Sequence, residues 1–291
     1  MWKYVNPGYG ELLDKNKAAT VQDRTKNPTN EVSINNSSGI CVLFPELQEV
    51  FLKFDLYTIS SVRSSIWHVL LGDGNNYCGL TDNTYADSSC AVRINNEDEI
   101  KYNYFDERKV ATFFIHVKCG QNGIFEAYIN GSLIKAYSGS IKCSSFKHLK
   151  IYTKQDRTYI SNIIISDQDI RDESVLVVPL GEPTGTWSGI SDGEAKATEA
   201  DQVLTQSLKI DDIKNTVGTD TVTSVSVAAY DIRYDSEKVN AMEASITKDG
   251  SNLTSATKSI TNSSITPVTF MKNMTIDNLA NTSVSFKAKK V

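Results

Sequence analysis

The chain has 291 residues, 40% of them hydrophobic, with 30 Lys and Arg against 35 Asp and Glu and a formal net charge of −5. The apolar content supports packed cores and excludes wholesale disorder, and the length predicts about two domains. The acidic balance, without any basic run, excludes a surface that tracks nucleic-acid phosphates, and no apolar stretch approaches the roughly 20 residues of a membrane-spanning helix, so membrane insertion is excluded too.

Residues 1–34 read as an N-terminal arm with few apolar anchors. The apolar residues Trp2, Tyr4, Val5, Leu12 and Leu13 stand apart from any strand pattern, and a polar tract follows them. Isolated apolar groups of this kind mark contacts. They are expected to make assembly contacts, or else to add an edge strand to the domain that follows. The opening residues lack the basic region and apolar core of a secretory signal, so synthesis in a cytoplasm without that signal is expected.

From Ser38 onward short strand-like runs recur: 40–44, 49–57, 65–71, 91–94, 99–104 and 109–117, each bounded by Gly, Asn, Asp or Ser. The segment Ile124 to Tyr137 reads as two strands around Asn130-Gly131, the dipeptide that takes the two positive-φ positions of a type I′ hairpin at least steric cost. Leu149 to Tyr152 and Tyr159 to Ser166 supply two more strands. Regular spacing without helical periodicity predicts an all-β sandwich. Residues 35–180 are assigned to this first domain.

Residues 181–200, rich in Gly, Ser, Thr and charge, read as a linker. Beyond it, polar and apolar residues alternate from Thr221 towards Tyr234, the pattern of a half-buried antiparallel strand. With the runs 203–210, 239–247, 265–276 and 283–288, this predicts five to seven strands in a small β-sandwich over 201–291, Ig-like or a jelly roll, of which the Ig-like form is taken.

The five cysteines, Cys41, Cys78, Cys90, Cys119 and Cys143, all precede residue 150, and an odd number cannot pair completely within one chain. Free thiols are the expected state, with a Cys78 to Cys90 bridge as the alternative. No Cys-x-x-Cys spacing suggests a structural metal.

Catalytic chemistry finds little purchase. Of the three histidines, His68 and His116 lie inside strand runs beside apolar residues and read as ordinary strand side chains. No nucleophile elbow, phosphate loop or His-Glu-x-x-His pair occurs, and the clustered acids Glu97, Asp98 and Glu99 read as a solvated hairpin tip. The protein is expected not to be an enzyme. No cofactor is expected; calcium is the one ion that the oxygen-rich loops around Asp73 and Asp82 would suit, although the same residues are ordinary turn formers. Tyr77 and Tyr85 lie in those loops, and an aromatic face beside short polar side chains is what sugar recognition requires. Asp73, Tyr77, Asp82 and Tyr85 are therefore the candidate glycan-binding residues.

The order of elements from the Tyr128-Ile-Asn-Gly131 hairpin through Leu149-Lys-Ile-Tyr152 to Tyr159–Ser166 resembles the closing half of the concanavalin A-like, or laminin-G-like, jelly roll, over roughly residues 35–172. The texture of Asp201 to Asp249 and the opening Trp2-Lys-Tyr-Val-Asn-Pro-Gly8 are similar to bacteriophage tail and virion proteins. The resemblance implies a non-enzymatic virion component in a tail, fibre, baseplate or decoration role. Its expected partners are other virion proteins, further copies of itself in a homo-oligomer, and a host-surface glycan. The alternatives are a bacterial lectin-like protein and, third, a glycoside hydrolase.

Overall fold

The structure is a computed structural model, and it describes residues 2–6, 39–58, 67–82, 89–103, 110–153, 158–173, 178–189, 195–218, 220–229, 232, 234–260 and 265–291. Two compact units divide between Val175 and Leu176.

The first unit contains twelve strands among the described residues: β1 (Trp2–Asn6), β2 (Gly39–Leu47), β3 (Glu49–Thr58), β4 (Trp67–Gly72), β5 (Tyr77–Asp82), β6 (Ser89–Ile94), β7 (Glu97–Asn103), β8 (Ala111–Lys118), β9 (Gly120–Ile129), β10 (Ser132–Ile141), β11 (Phe146–Thr153) and β12 (Thr158–Ser166). They form two six-stranded antiparallel sheets, ordered β1-β12-β3-β8-β9-β10 and β2-β11-β4-β5-β6-β7. Every second residue of each central strand enters one shared core. The first sheet contributes Val50, Leu52, Phe54 and Leu56 from β3 and Ala111, Phe113, Ile115 and Val117 from β8. The second sends in Trp67, Val69 and Leu71 from β4 and Leu149 and Ile151 from β11. The period of two is the strand's own geometry expressed as burial, and each large side chain so removed from water contributes about 1.5–3 kcal/mol. Trp67 meets Phe113 edge-on across the sheets at 5.7 Å, and Phe113 stacks on Phe54 at 5.1 Å. The protein is all β, and this unit is a jelly-roll-type sandwich.

The arm's opening belongs to this sandwich. β1 pairs antiparallel with β12 from Trp2 opposite Ser166 to Asn6 opposite Ile163. The backbone of Trp2, Tyr4 and Val5 thus forms an edge strand of its own unit, the second of the two uses expected of the arm. Leu12 and Leu13 lie outside the described residues.

β5 was not anticipated from the sequence. Gly79 stands in its middle, where an added Cβ would meet the carbonyl oxygen of Val69 on the neighbouring strand at 2.1 Å. The glycine that makes the strand look like a loop is what lets it lie against β4.

The second unit has β13 (Thr184–Gly185), β14 (Val203–Ser207), β15 (Val222–Ala229), β16 (Ala241–Lys248), β17 (Ser251–Ser259), β18 (Ile265–Met274) and β19 (Thr282–Lys289). A five-stranded sheet, β13-β14-β19-β16-β17, faces the two-stranded sheet β15-β18. Between them pack Val227, Met242, Ala244, Ile246, Ile265, Val268, Val284 and Phe286. A smaller cluster of Ile210, Ile213, Ile276 and Leu279 lies under a 3₁₀ turn at Ile210–Asp212 and the single helical turn Lys214–Val217.

The described part of 181–200 is not a free linker. Gly181 donates its N–H to Ser207 O at 2.8 Å, Thr184 and Gly185 pair with Thr205 and Leu204, and Ser188 and Lys196 exchange backbone hydrogen bonds. A Cβ on Gly185 would meet Val203 O at 2.1 Å. Its glycine therefore serves close approach to β14, whereas composition alone suggested flexibility.

Candidate functional site

The core face of the first sheet leaves an opposite face whose residues alternate with the buried ones. On β8 these are Thr112, Phe114, His116 and Lys118. The antiparallel register sets Phe51 of β3 and Glu126 of β9 on either side of His116, and Lys53 and Tyr128 on either side of Phe114. Glu49 lies opposite Lys118.

His116 is the centre of this array. Its Nε2 is 2.8 Å from Glu49 Oε1, and its Nδ1 is 3.3 Å from Glu126 Oε2. The ring stacks on Phe51 with centroids 4.4 Å apart and planes 8° from parallel. Glu49 also faces Lys118 Nζ at 3.6 Å, and Tyr128 donates its hydroxyl to Glu126 Oε2 at 3.3 Å. The side chains of Glu49, Glu126 and Lys118 remain 37%, 31% and 48% exposed, whereas His116 is 14% exposed. The result is a set of polar groups held in place by one another on a rigid sheet and reachable from solvent. Both nitrogens of His116 thus face carboxylates, which fixes the orientation of the ring.

One side of this face is covered by the segment after β12. Ile170 packs with Phe114 and Ile164. Arg171 lies over the rings of Phe114 and Tyr128, 5.6 and 5.4 Å from their centroids, and donates from Nη1 to the Tyr128 hydroxyl at 3.1 Å. Asp169 holds the guanidinium from beneath, with Nε to Oδ2 at 2.9 Å. Hydrogen bonding to Asp169 raises the Arg171 pKa, and burial of Asp169 is outweighed by Arg171, which lowers the carboxyl pKa. Lys53 donates to the carbonyl oxygens of Arg171 and Glu173 and so ties the segment down. Burial lowers the Lys53 pKa against the opposing pull of Asp55, Asp172 and Glu173. Further along, Asp55 accepts from Thr112 Oγ1 and Asn162 Nδ2, both at 2.6 Å.

The residues singled out from sequence that the structure describes lie on the other sheet, where Asp73 and Tyr77 hold a turn together. Asp73 Oδ1 accepts the N–H of Asn75 and of Asn76, each at 2.8 Å, and Oδ2 accepts the N–H of Ser144 at 3.0 Å. Burial alone would raise its pKa, but these backbone donors prevail and bring it down to about 2. A carboxylate so engaged organises the turn that it closes. Tyr77 is 7% exposed, its ring is covered by Lys150 Nζ at 3.8 Å, and its hydroxyl donates to Gly74 O at 3.2 Å. It cannot present a face to a sugar. Asp82 ends β5 opposite Cys90, and Tyr85 lies outside the described residues.

His116 was read as a strand side chain with an ordinary hydrogen bond, and it is a strand side chain with hydrogen-bonding partners. The further signal in the sequence is the alternation Thr112, Phe114, His116, Lys118, which marks a second, partly polar face on an otherwise buried strand. Its carboxylate partners come from 67 residues before and 10 after, so only the pairing of strands assembles them.

A jelly-roll-type sandwich with a preformed polar face on one sheet defines the class of protein. No known family matches the chain, and no curated protein is similar to it. Among solved structures it is similar to a sialidase, with a TM-score of 0.38 and 9% identity, covering 48% of this chain and 15% of that one. It is similar to the alginate lyase Aly36B, with a TM-score of 0.37 and 9% identity over 57% of this chain and 96% of that one. It is also similar to the galectin LEC-6 of Caenorhabditis elegans, with a TM-score of 0.33 and 16% identity over 48% and 97%. The site residues named above stand on their own geometry.

Proposed function

We propose that the first unit is a non-enzymatic, lectin-like sugar-binding module whose contact surface is the outer face around Glu49, His116, Lys118 and Glu126. The observation that carries this reading is the mutual fixing of Glu49, His116 and Glu126 at 2.8 and 3.3 Å while both carboxylates stay about a third exposed. Preorganised acceptors and donors on a rigid scaffold bind hydroxyl groups at little ordering cost. Carboxylates outnumber cations here: Glu49, Glu126 and Asp169 stand against Lys118 and Arg171. With no cationic excess among these residues, the face suits neutral sugars better than polyanionic ones.

Binding of the purified chain to an array of neutral and acidic glycans, followed by titration calorimetry, tests the reading. Wild type should bind neutral glycans, and Glu126→Gln should weaken binding about tenfold, about 1.4 kcal/mol, with an unchanged circular dichroism spectrum. Absence of binding to every neutral glycan would overturn it. A sugar-binding module carried on a virus particle would serve host attachment. That proposal, which follows the sequence resemblance, is checked by looking for the chain in particles purified from its source.

A further inference from the structure

At one end of the first unit, the segment between β10 and β11 is fastened to the turn that leads into β5 and to the turn between β6 and β7. Lys142 N–H donates to Asn95 Oδ1 at 2.6 Å, Ser144 N–H to Asp73 Oδ2 at 3.0 Å, and Cys143 Sγ to Asn76 O at 3.2 Å. These bonds pin Cys143 beside the strand on which Cys78 follows Asn76 by two residues. Both cysteines enter the same core cluster, 3% and 0% exposed, and their thiols are within hydrogen-bonding reach of each other. Neither is joined in a disulfide. The register excludes the partner that sequence suggested for Cys78: Cys90 sits opposite Asp82, four residues further along β5, so the two are about 13 Å apart, beyond the roughly 7 Å that a disulfide spans.

We propose that Cys78 and Cys143 form a modification site, a dithiol that closes into a disulfide and ties β5 to the Lys142–Ser145 segment. In closure one S–S bond forms, each thiol gives up its proton, and two electrons pass to an external small-molecule disulfide such as oxidised glutathione. One cysteine thiolate first displaces a glutathione thiolate to give a mixed disulfide; the other then displaces the second, and both leaving thiolates take up the released protons. The hydrogen bond with Cys78 and burial both raise the Cys143 pKa, so the closed native state reacts slowly and bond formation accompanies folding or opening of the segment. Cys119, held up at about 11 by burial, is the neighbouring thiol that could compete.

The full chain is unfolded, refolded with oxidised and reduced glutathione, acid-quenched, alkylated and digested without reductant for mass spectrometry. The expected product is one linked peptide pair containing Cys78 and Cys143, in wild type and in Cys119→Ser alike, with a higher thermal midpoint than the reduced chain. Links made through Cys119 or Cys90, or Cys78 and Cys143 recovered only alkylated or glutathionylated, would overturn the proposal. Cys143→Ser should lose the oxidation-dependent rise in midpoint; if that variant fails to fold, the linked peptides of wild type and Cys119→Ser decide alone.

Discussion

The carboxylate of Asp73 accepts the backbone N–H of Ser144, a residue 71 positions away, at 3.0 Å, while its other oxygen closes the turn that leads into β5. One side chain thus satisfies three backbone donors in two segments. Asp73→Ala should destabilise the first unit by about 1 kcal/mol or more, the usual cost of losing a capping carboxylate. The folded pKa of about 2 lies below the unfolded value near 3.9, so the contribution is complete above about pH 4 and is lost as pH falls through 2. Urea unfolding of wild type and variant at pH 6 and pH 2 should show the difference between them shrinking at the lower pH.

The Asn130-Gly131 tip behaves as its sequence demands. Asn130 and Gly131 have φ of 50° and 79°, and Asn130 Oδ1 accepts the N–H of Thr112 at 2.9 Å. No atom lies within 4 Å of a Cβ built on Gly131, so Gly131→Ala would meet no clash. Its cost should be conformational only, about 1–2 kcal/mol for an L side chain in the left-handed region. Thermal melts should show a reduced midpoint without loss of β signal.

The same two-residue signal shows where sequence reading stops. Asp249-Gly250 also takes left-handed φ values, 49° and 78°, and closes the β16 to β17 hairpin. β17 nonetheless went unread because Ser251 to Ser259 carries almost no apolar alternation, being an edge strand with little to bury. The core strands β3 and β8 were legible because their burial follows the period of two. The candidate site was not. Oxygen-rich turns and aromatics near 73–85 attracted attention, yet in the folded chain Asp73 and Tyr77 hold the turn together. The array around His116 is written in three strands whose pairing no local pattern reveals.

β1 changes what removal of the arm should do. Its pairing covers the outer edge of β12, and Lys3 Nζ lies 2.8 Å from Asp167 Oδ2. Deleting residues 1–7 strips four backbone pairings from β12 and leaves an unpaired edge, a template for aggregation. The truncated chain should melt several degrees lower and scatter light at temperatures where the full chain stays clear. An unchanged midpoint would return the arm to the role of an assembly contact.

The second unit should fold without the first. Its two clusters, one around Met242, Ile246 and Phe286 and the other around Ile210 and Leu279, are drawn from residues 176–291. The pairings of β14, β16, β17 and β19 are likewise closed within that range, and β15 pairs with β18. A sandwich with its own core and its own hydrogen-bond partners meets the requirements of an independent domain. A fragment spanning 176–291 should give a β-type circular dichroism spectrum and one cooperative urea transition. A noncooperative loss of signal would show that the unit depends on the rest of the chain. If the fragment does fold, Phe286→Ala within it should cost about 3–5 kcal/mol, because a buried ring from β19 is then replaced by a cavity between the two sheets.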